Sequence, residues 1–116
     1  MFNVATGNQN IAIGYESLFA SAGSAISNNI AIGSSALYVT TASNNIAIGH
    51  SAASTLTSGT NNIAIGHSAQ LTSNTASNQL NIGNWIYGSG GSIGIGTGGT
   101  AITARLTLDS GTNNLA

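Results

Sequence analysis

The pentapeptide Asn-Ile-Ala-Ile-Gly occurs four times in this chain, at Asn10–Gly14, Asn29–Gly33, Asn45–Gly49 and Asn62–Gly66. Degenerate copies follow as Leu80-Asn81-Ile82-Gly83 and Ser92-Ile93-Gly94-Ile95-Gly96. The first Ile recurs at positions 11, 30, 46 and 63, in steps of 19, 16 and 17 residues. A short, nearly fixed period marks an array in which each unit packs on the next. Arrays of this kind are more often rods or binding surfaces than catalysts.

Within each copy the two Ile are two residues apart. That is strand periodicity, so they share a face and the Ala between them points to the other. Ile is β-branched and suits a strand. The flanking Asn and Gly tolerate turns and left-handed conformations. Each copy therefore reads as a short strand between two corners. A second apolar position follows each Gly, at Leu18, Leu37, Ala53 with Leu56, Leu71 and Ile86. This predicts a second strand per repeat, with Ser/Thr/Asn/Gly-rich links absorbing the variation in step. No apolar stripe persists at helical spacing for three turns.

The expected fold class is thus all-β, a repeat-built parallel β-solenoid or β-roll. Its expected core is the Ile column: Ile11, Ile13, Ile30, Ile32, Ile46, Ile48, Ile63 and Ile65. Asn is expected to stack on Asn along the corner, where such ladders add side-chain hydrogen bonds. Ala12, Ala31, Ala47 and Ala64 then form a small apolar column on the opposite face, which predicts close approach by another copy of the chain. A thin roll with few large side chains also buries too little to stand comfortably alone.

The regular array is expected over residues 1–87. Residues 88–100 read as a Gly-rich link, and 101–116 as one further strand and the start of another copy. The strand is Ala101 to Asp109, with Ile102, Ala104, Leu106 and Leu108 on one face. Ser110–Ala116 nearly repeats Ser58–Ala64, as expected of a piece of a longer fibre or of chains that join end to end.

Charged residues make up 3% of the 116 residues: Glu16, Arg105 and Asp109. Ordinary soluble domains carry about 25%. With no basic patch to displace counterions, a nucleic-acid partner is not expected, nor is docking to an anionic membrane. No apolar run approaches the ~20 residues that span a bilayer. Cys and Pro are both absent; the lack of Pro fits a chain built almost entirely of ladder.

Catalysis is not expected. Glu16 and Asp109 are the only carboxylates, too far apart in a stacked chain for paired acid–base work. No nucleophile elbow accompanies the His residues. Gly94 to Gly99 formally spells G-x-G-x-x-G, but that motif needs a helix after it and none follows, so no cofactor is expected. His50 and His67 hold the same place after the repeat Gly as Tyr15, Ser34 and Asn84. They should stack on one line of the surface, as outward polar positions rather than metal ligands. Trp85 and Tyr87 are two apart and should share a face. They are candidate glycan or receptor contacts, or else caps that close the repeat stack; Tyr15 and Tyr38 read as single surface or interface aromatics.

The motif Asn-Asn-Ile-Ala-Ile-Gly-His-Ser-Ala resembles the head repeat of trimeric autotransporter adhesins, roughly N-S-V-A-I-G-x-x-S. Gly7 to Leu18 resembles repeats of bacteriophage tail fibres, which often read T-G-x-x-N-T-A-I-G-Y-x-A-L. Ile93-Gly94-Ile95-Gly96-Thr97 with Ala104-Arg105-Leu106 is similar to the V-G-I-G-T…A-R-L segment of such fibres, without its Pro, and Asn81 to Gly88 also resembles tail-fibre sequence. The likeness spans about residues 5 to 108. It implies a homotrimeric β-roll in a phage tail fibre, extracellular on the virion, that mediates attachment to the host surface. Its implied partners are its own copies, other fibre segments and a bacterial surface glycan or outer-membrane protein. The adhesin repeat is nearer 14 residues, so the longer steps here favour the phage fibre over the alternative, an adhesin head on a bacterial cell surface. An ice-binding solenoid is a further alternative, weakened by the irregular placement of Thr.

Overall fold

The computed structural model describes residues 7–19 and 25–96. The described residues are all-β and contain no helix. Four identical strands come first: β1 (Ile11–Ile13), β2 (Ile30–Ile32), β3 (Ile46–Ile48) and β4 (Ile63–Ile65). Then come β5 (Leu80–Ile82), β6 (Ile86–Ser89) and β7 (Ser92–Ile95). They form one seven-stranded sheet in sequence order. β1 to β5 are parallel and in perfect repeat register, Ile11 on Ile30, Ile30 on Ile46, Ile46 on Ile63 and Ile63 on Leu80. Each strand is thus one rung of a β-solenoid of about four turns.

The coil is filled from the side opposite to the one expected. Ala31, Ala47 and Ala64 are fully buried, and Ala12 packs against the same core. The Ile residues face outward: Ile11, Ile13 and Ile48 are exposed, and Ile30, Ile32, Ile46, Ile63 and Ile65 only half-buried. The eight Ile are therefore not the core of the coil, and the Ala column is not an outer face. In Asn-Ile-Ala-Ile-Gly the alternation puts Asn, Ala and Gly on one side together, and a one-residue slip would move all of them at once. The Asn and Gly decide the phase.

Asn29, Asn45 and Asn62 are buried, and each bonds from rung to rung. The Asn10 Oδ1 accepts the Asn29 N–H at 3.0 Å, Asn29 Oδ1 the Asn45 N–H at 2.9 Å, and Asn45 Oδ1 the Asn62 N–H at 3.0 Å. Gln79 continues the line, its N–H donating to Asn62 Oδ1 at 2.8 Å. The side-chain amides in turn donate to carbonyls across the coil, Asn29 Nδ2 to Ala42 and Asn45 Nδ2 to Gly59, both at 3.0 Å. Buried polar groups must be paired, and here the pairing itself makes the ladder.

The Gly is required by space. Gly14, Gly33, Gly49 and Gly66 have φ between +125 and +130°. A Cβ on Gly33 would lie 2.5 Å from the Gly49 backbone. Rungs meet backbone to backbone at this corner, where a side chain has no room.

Except at Ile86, which lies in β6, the expected second strand is replaced by a turn. After each Gly the chain bends through left-handed residues, Glu16 and Leu18, Ser35 and Leu37, then Ser51 and Ala53, with φ between +46 and +57°. The arcs still ladder between rungs: Leu18 N–H donates to the Ala36 carbonyl at 2.8 Å and Ala53 N–H to that of Ala69 at 2.9 Å. Leu18, Leu37, Leu56 and Leu71 are buried and fill the coil against the Ala column. A left-handed Leu is costly, and full burial of its side chain, about 1.5–3 kcal/mol, offsets that cost.

Residues 88–96 are not a link. Gly88 and Ser89 end β6, and β7 returns antiparallel with Ser89 opposite Ser92. Gly90 and Gly91 make the turn with φ of +60 and +84°, as a two-residue hairpin of this hand requires. The strand and further copy expected over 101–116 lie outside the described residues.

Two substitutions test this phase. Gly33→Ala should lower stability by about 3 kcal/mol or more, through the positive φ and the clash with the next rung. Asn45→Ala should cost about 3 kcal/mol, because it orphans the Asn62 N–H and the Gly59 carbonyl. Chemical denaturation of each variant checks both, and a loss under about 0.5 kcal/mol for Asn45→Ala, the range of an ordinary surface change, would refute the ladder's role.

Candidate functional site: an outward apolar face

Because Ala takes the inside, the Ile pairs draw two parallel columns along the outside of the sheet. The registers place Ile11, Ile30, Ile46, Ile63 and Leu80 in the first column, followed by Gly88 and Ile93. The second runs Ile13, Ile32, Ile48, Ile65, Ile82, Ile86 and Ile95. The hairpin therefore extends the face although its strands run antiparallel to their neighbours. Of the nine exposed large hydrophobics among the described residues, six lie on it: Ile11, Ile13, Ile48, Ile82, Ile93 and Ile95. Together they leave on the order of 500 Å² of apolar surface open, at the upper end of what a monomer ordinarily shows and typical of an interaction site. Neither Asp, Glu, Lys nor Arg stands in either column, so nothing on the face opposes its removal from water.

The structure separates Trp85 from Tyr87. Trp85 sits in the β5–β6 turn, its N–H donating to the Ile82 carbonyl at 3.0 Å, and its side chain is 72% exposed. Tyr87 is 7% exposed. It lies opposite Asn81 on the inner side of the sheet, and its hydroxyl reaches Asn84 Oδ1 at 3.4 Å. Tyr87 therefore closes the end of the coil and cannot offer a platform to a sugar; the two do not share a face. Only Trp85 retains the geometry of a ligand contact.

His50 and His67 stack as the repeat requires, ring centroids 5.2 Å apart and planes within 12°. Both are exposed. No group of three His, Cys, Asp or Glu that could hold a metal occurs among the described residues. Tyr38 is not a single aromatic: it stacks on Phe19 at 5.3 Å. The Glu16 carboxylate, by hydrogen bond and by charge, raises the exposed Tyr15 phenol above its ordinary value. Glu16 is the one carboxylate among the described residues.

Comparison with protein-family models, with curated proteins and with solved structures finds no match for this chain. No helix among the described residues is long and apolar enough to cross a membrane.

The apolar face is the feature that reasoning from sequence misplaced. Its signal was present in the phase of the repeat, since a Gly at a crowded backbone corner and a paired Asn both belong inside and carry Ala with them. The chain has a single Trp, so its fluorescence reports on one place. Acrylamide should quench Trp85 nearly as readily in the folded chain as in the unfolded one. Strong protection of Trp85 would show that this turn is covered.

Proposed function

We propose that this chain is a structural and adhesive segment of a bacteriophage tail fibre, assembled as a homotrimer and attaching to a bacterial surface. The observation that supports it is the pair of apolar columns, interrupted only at Gly88, running along one side of a stack of rungs. A rod with one apolar side is poorly suited to life as a monomer. Closed rotational symmetry lets three identical rods turn that side toward a common axis and leave their polar sides to water. In this reading the subunit contact passes from the Ala column, which is internal, to the Ile columns.

The role of such a fibre is mechanical. Rung-to-rung backbone bonds and the internal Asn ladder resist bending and leave few segments for proteases. Contact with a surface glycan or outer-membrane protein falls to exposed positions, of which Trp85 is the best candidate, since aromatic faces suit sugar rings. Three chains per fibre raise avidity without any new contact. The repeat steps of 16 to 19 residues favour the phage fibre over an adhesin head. An ice-binding role is weakened by the Thr residues. Thr41 and Thr57 lie on neighbouring rungs, but their hydroxyls donate to the carbonyls of Thr57 and Asn74, and Asn74 ends the line.

Light scattering with circular dichroism on the same sample tests the assembly. A mass near three times 11.4 kDa with a β spectrum is expected. Ile48→Asp and Ile65→Asp should raise the concentration at which the assembly dissociates by at least about tenfold while the β spectrum persists, because each would bury an unpaired charge. Ala47→Leu should instead prevent folding, since the coil has no space for it. A monomeric wild type overturns the trimer. For adhesion, the wild-type protein should bind whole host bacteria and Trp85→Ala should bind more weakly; no binding to any of a panel of bacteria would overturn the adhesive role.

A further inference from the structure

The first apolar column lapses at Gly88. An added Cβ there would meet the Leu80 Cβ at 3.0 Å, so crowding within the chain keeps this position bare. Beside it lies a cleft of about 340 Å³ whose apolar wall is Ile63, Leu80 and Ile93. The rest of its lining is polar. The rungs contribute Asn61 and Asn78, both exposed, and the hairpin contributes Ser89 and Ser92. None of these four side chains bonds to another described residue. Asn28, in the same corner position, instead donates from Nδ2 to Asn44 Oδ1 at 3.2 Å. Two amides and two hydroxyls with open donors and acceptors thus border an apolar wall. None of the residues lining the cleft is charged or a His. Its volume is at the small end of ligand cavities, which run from about 300 to 1,000 Å³.

We infer that this cleft binds a neutral saccharide. The inference rests on the adhesive half of the reading above and gives it a second contact. A sugar ring presents both kinds of surface that the cleft offers to pair. Its C–H faces suit Ile63, Leu80 and Ile93, and its hydroxyls, each a donor and an acceptor, suit the amides and the Ser hydroxyls. An acidic sugar or a phosphate would find no cation there to offset the loss of its water. A wholly apolar ligand would strip water from the amides and give them no partner. The register sets the cleft at the margin of the apolar face. Asn61 and Asn78 come two residues before Ile63 and Leu80, on the side away from the second column. Trp85 precedes β6, whereas Gly88 and Ser89 end it, so the cleft and Trp85 are separate contacts.

Titration of the full chain, followed by NMR, tests this. The probes are the methyl glycosides of glucose, galactose, mannose and N-acetylglucosamine, with N-acetylneuraminic acid as the charged control. At least one neutral glycoside should shift the signals of Ile63, Leu80 and Ser92 and saturate. Asn61→Gly and Asn78→Gly each remove one amide and keep a residue that accepts the left-handed φ of +58 and +59° found there. Each should weaken binding about three- to tenfold, the worth of one neutral hydrogen bond, with the β spectrum unchanged. Should a Gly variant fail to give a β spectrum, Asn78→Asp replaces it, and weaker binding is again expected. Unchanged affinity in both Gly variants, shifts confined to Trp85, or a preference for the acidic sugar overturns the assignment. So does failure of every neutral glycoside to bind; if the wild type then still binds whole bacteria, the adhesive reading stands without the cleft. Ile65→Asp should leave the affinity for sugar unchanged. A sugar bound by that variant but not by the wild type would show the cleft covered in the assembly, and would overturn the proposal as well.

Discussion

The backbone of one rung lies directly on the backbone of the next, and everything else in this molecule follows from that contact. At the Gly corner the approach is too close for a Cβ on Gly33. At the Asn corner a side-chain oxygen takes the N–H that the next rung presents, four times in succession. These two corners fix the height of a rung and close the ends of each strand. A three-residue strand has little hydrogen bonding of its own. It persists because its corners are held above and below by identical corners.

With the corners facing in, alternation leaves the interior one strand position per rung, and that position is Ala in β1 to β4 and Asn81 in β5. The coil is narrow because its second side is a turn rather than a strand. A turn built on left-handed residues brings Leu18, Leu37 and Leu56 back across a short span. Small side chains of the strand face large ones of the turn across this space, the usual way for a core to approach close packing. Two Ile per rung would overfill it. The apolar surplus that the interior cannot accept is therefore placed on the outside, where it forms a face of two columns.

That displacement links fold to function. A chain that is 41% hydrophobic and 3% charged folds into a coil whose inner wall is Ala and Asn and whose outer wall is Ile. The resulting face is of a kind suited to self-association along its length. The rung-to-rung ladder and the outward apolar face thus come from the same pentapeptide, read on its two faces. The hairpin at the end keeps the outer columns in line while Tyr87 shuts the inner one.

The sequence by itself determined the all-β class, the rung length, the corners at Asn and Gly, the stacking of His50 on His67 and the absence of helix among the described residues, because each depends on local period and residue type. The tertiary structure alone decided which face turned inward. Alternation states that Ile and Ala are opposed but is silent on which is inside, and hydrophobicity alone points to Ile. The decision falls to the volume of the closed coil and to the pairing of the buried Asn, and both exist only once rung lies on rung. Strand or turn after the Gly was settled in the same way, since Leu18 and Leu37 take left-handed angles that their residue type disfavours and that burial alone sustains. Trp85 and Tyr87, adjacent in any reading of strand period, were parted by the point at which the turn ends and β6 begins.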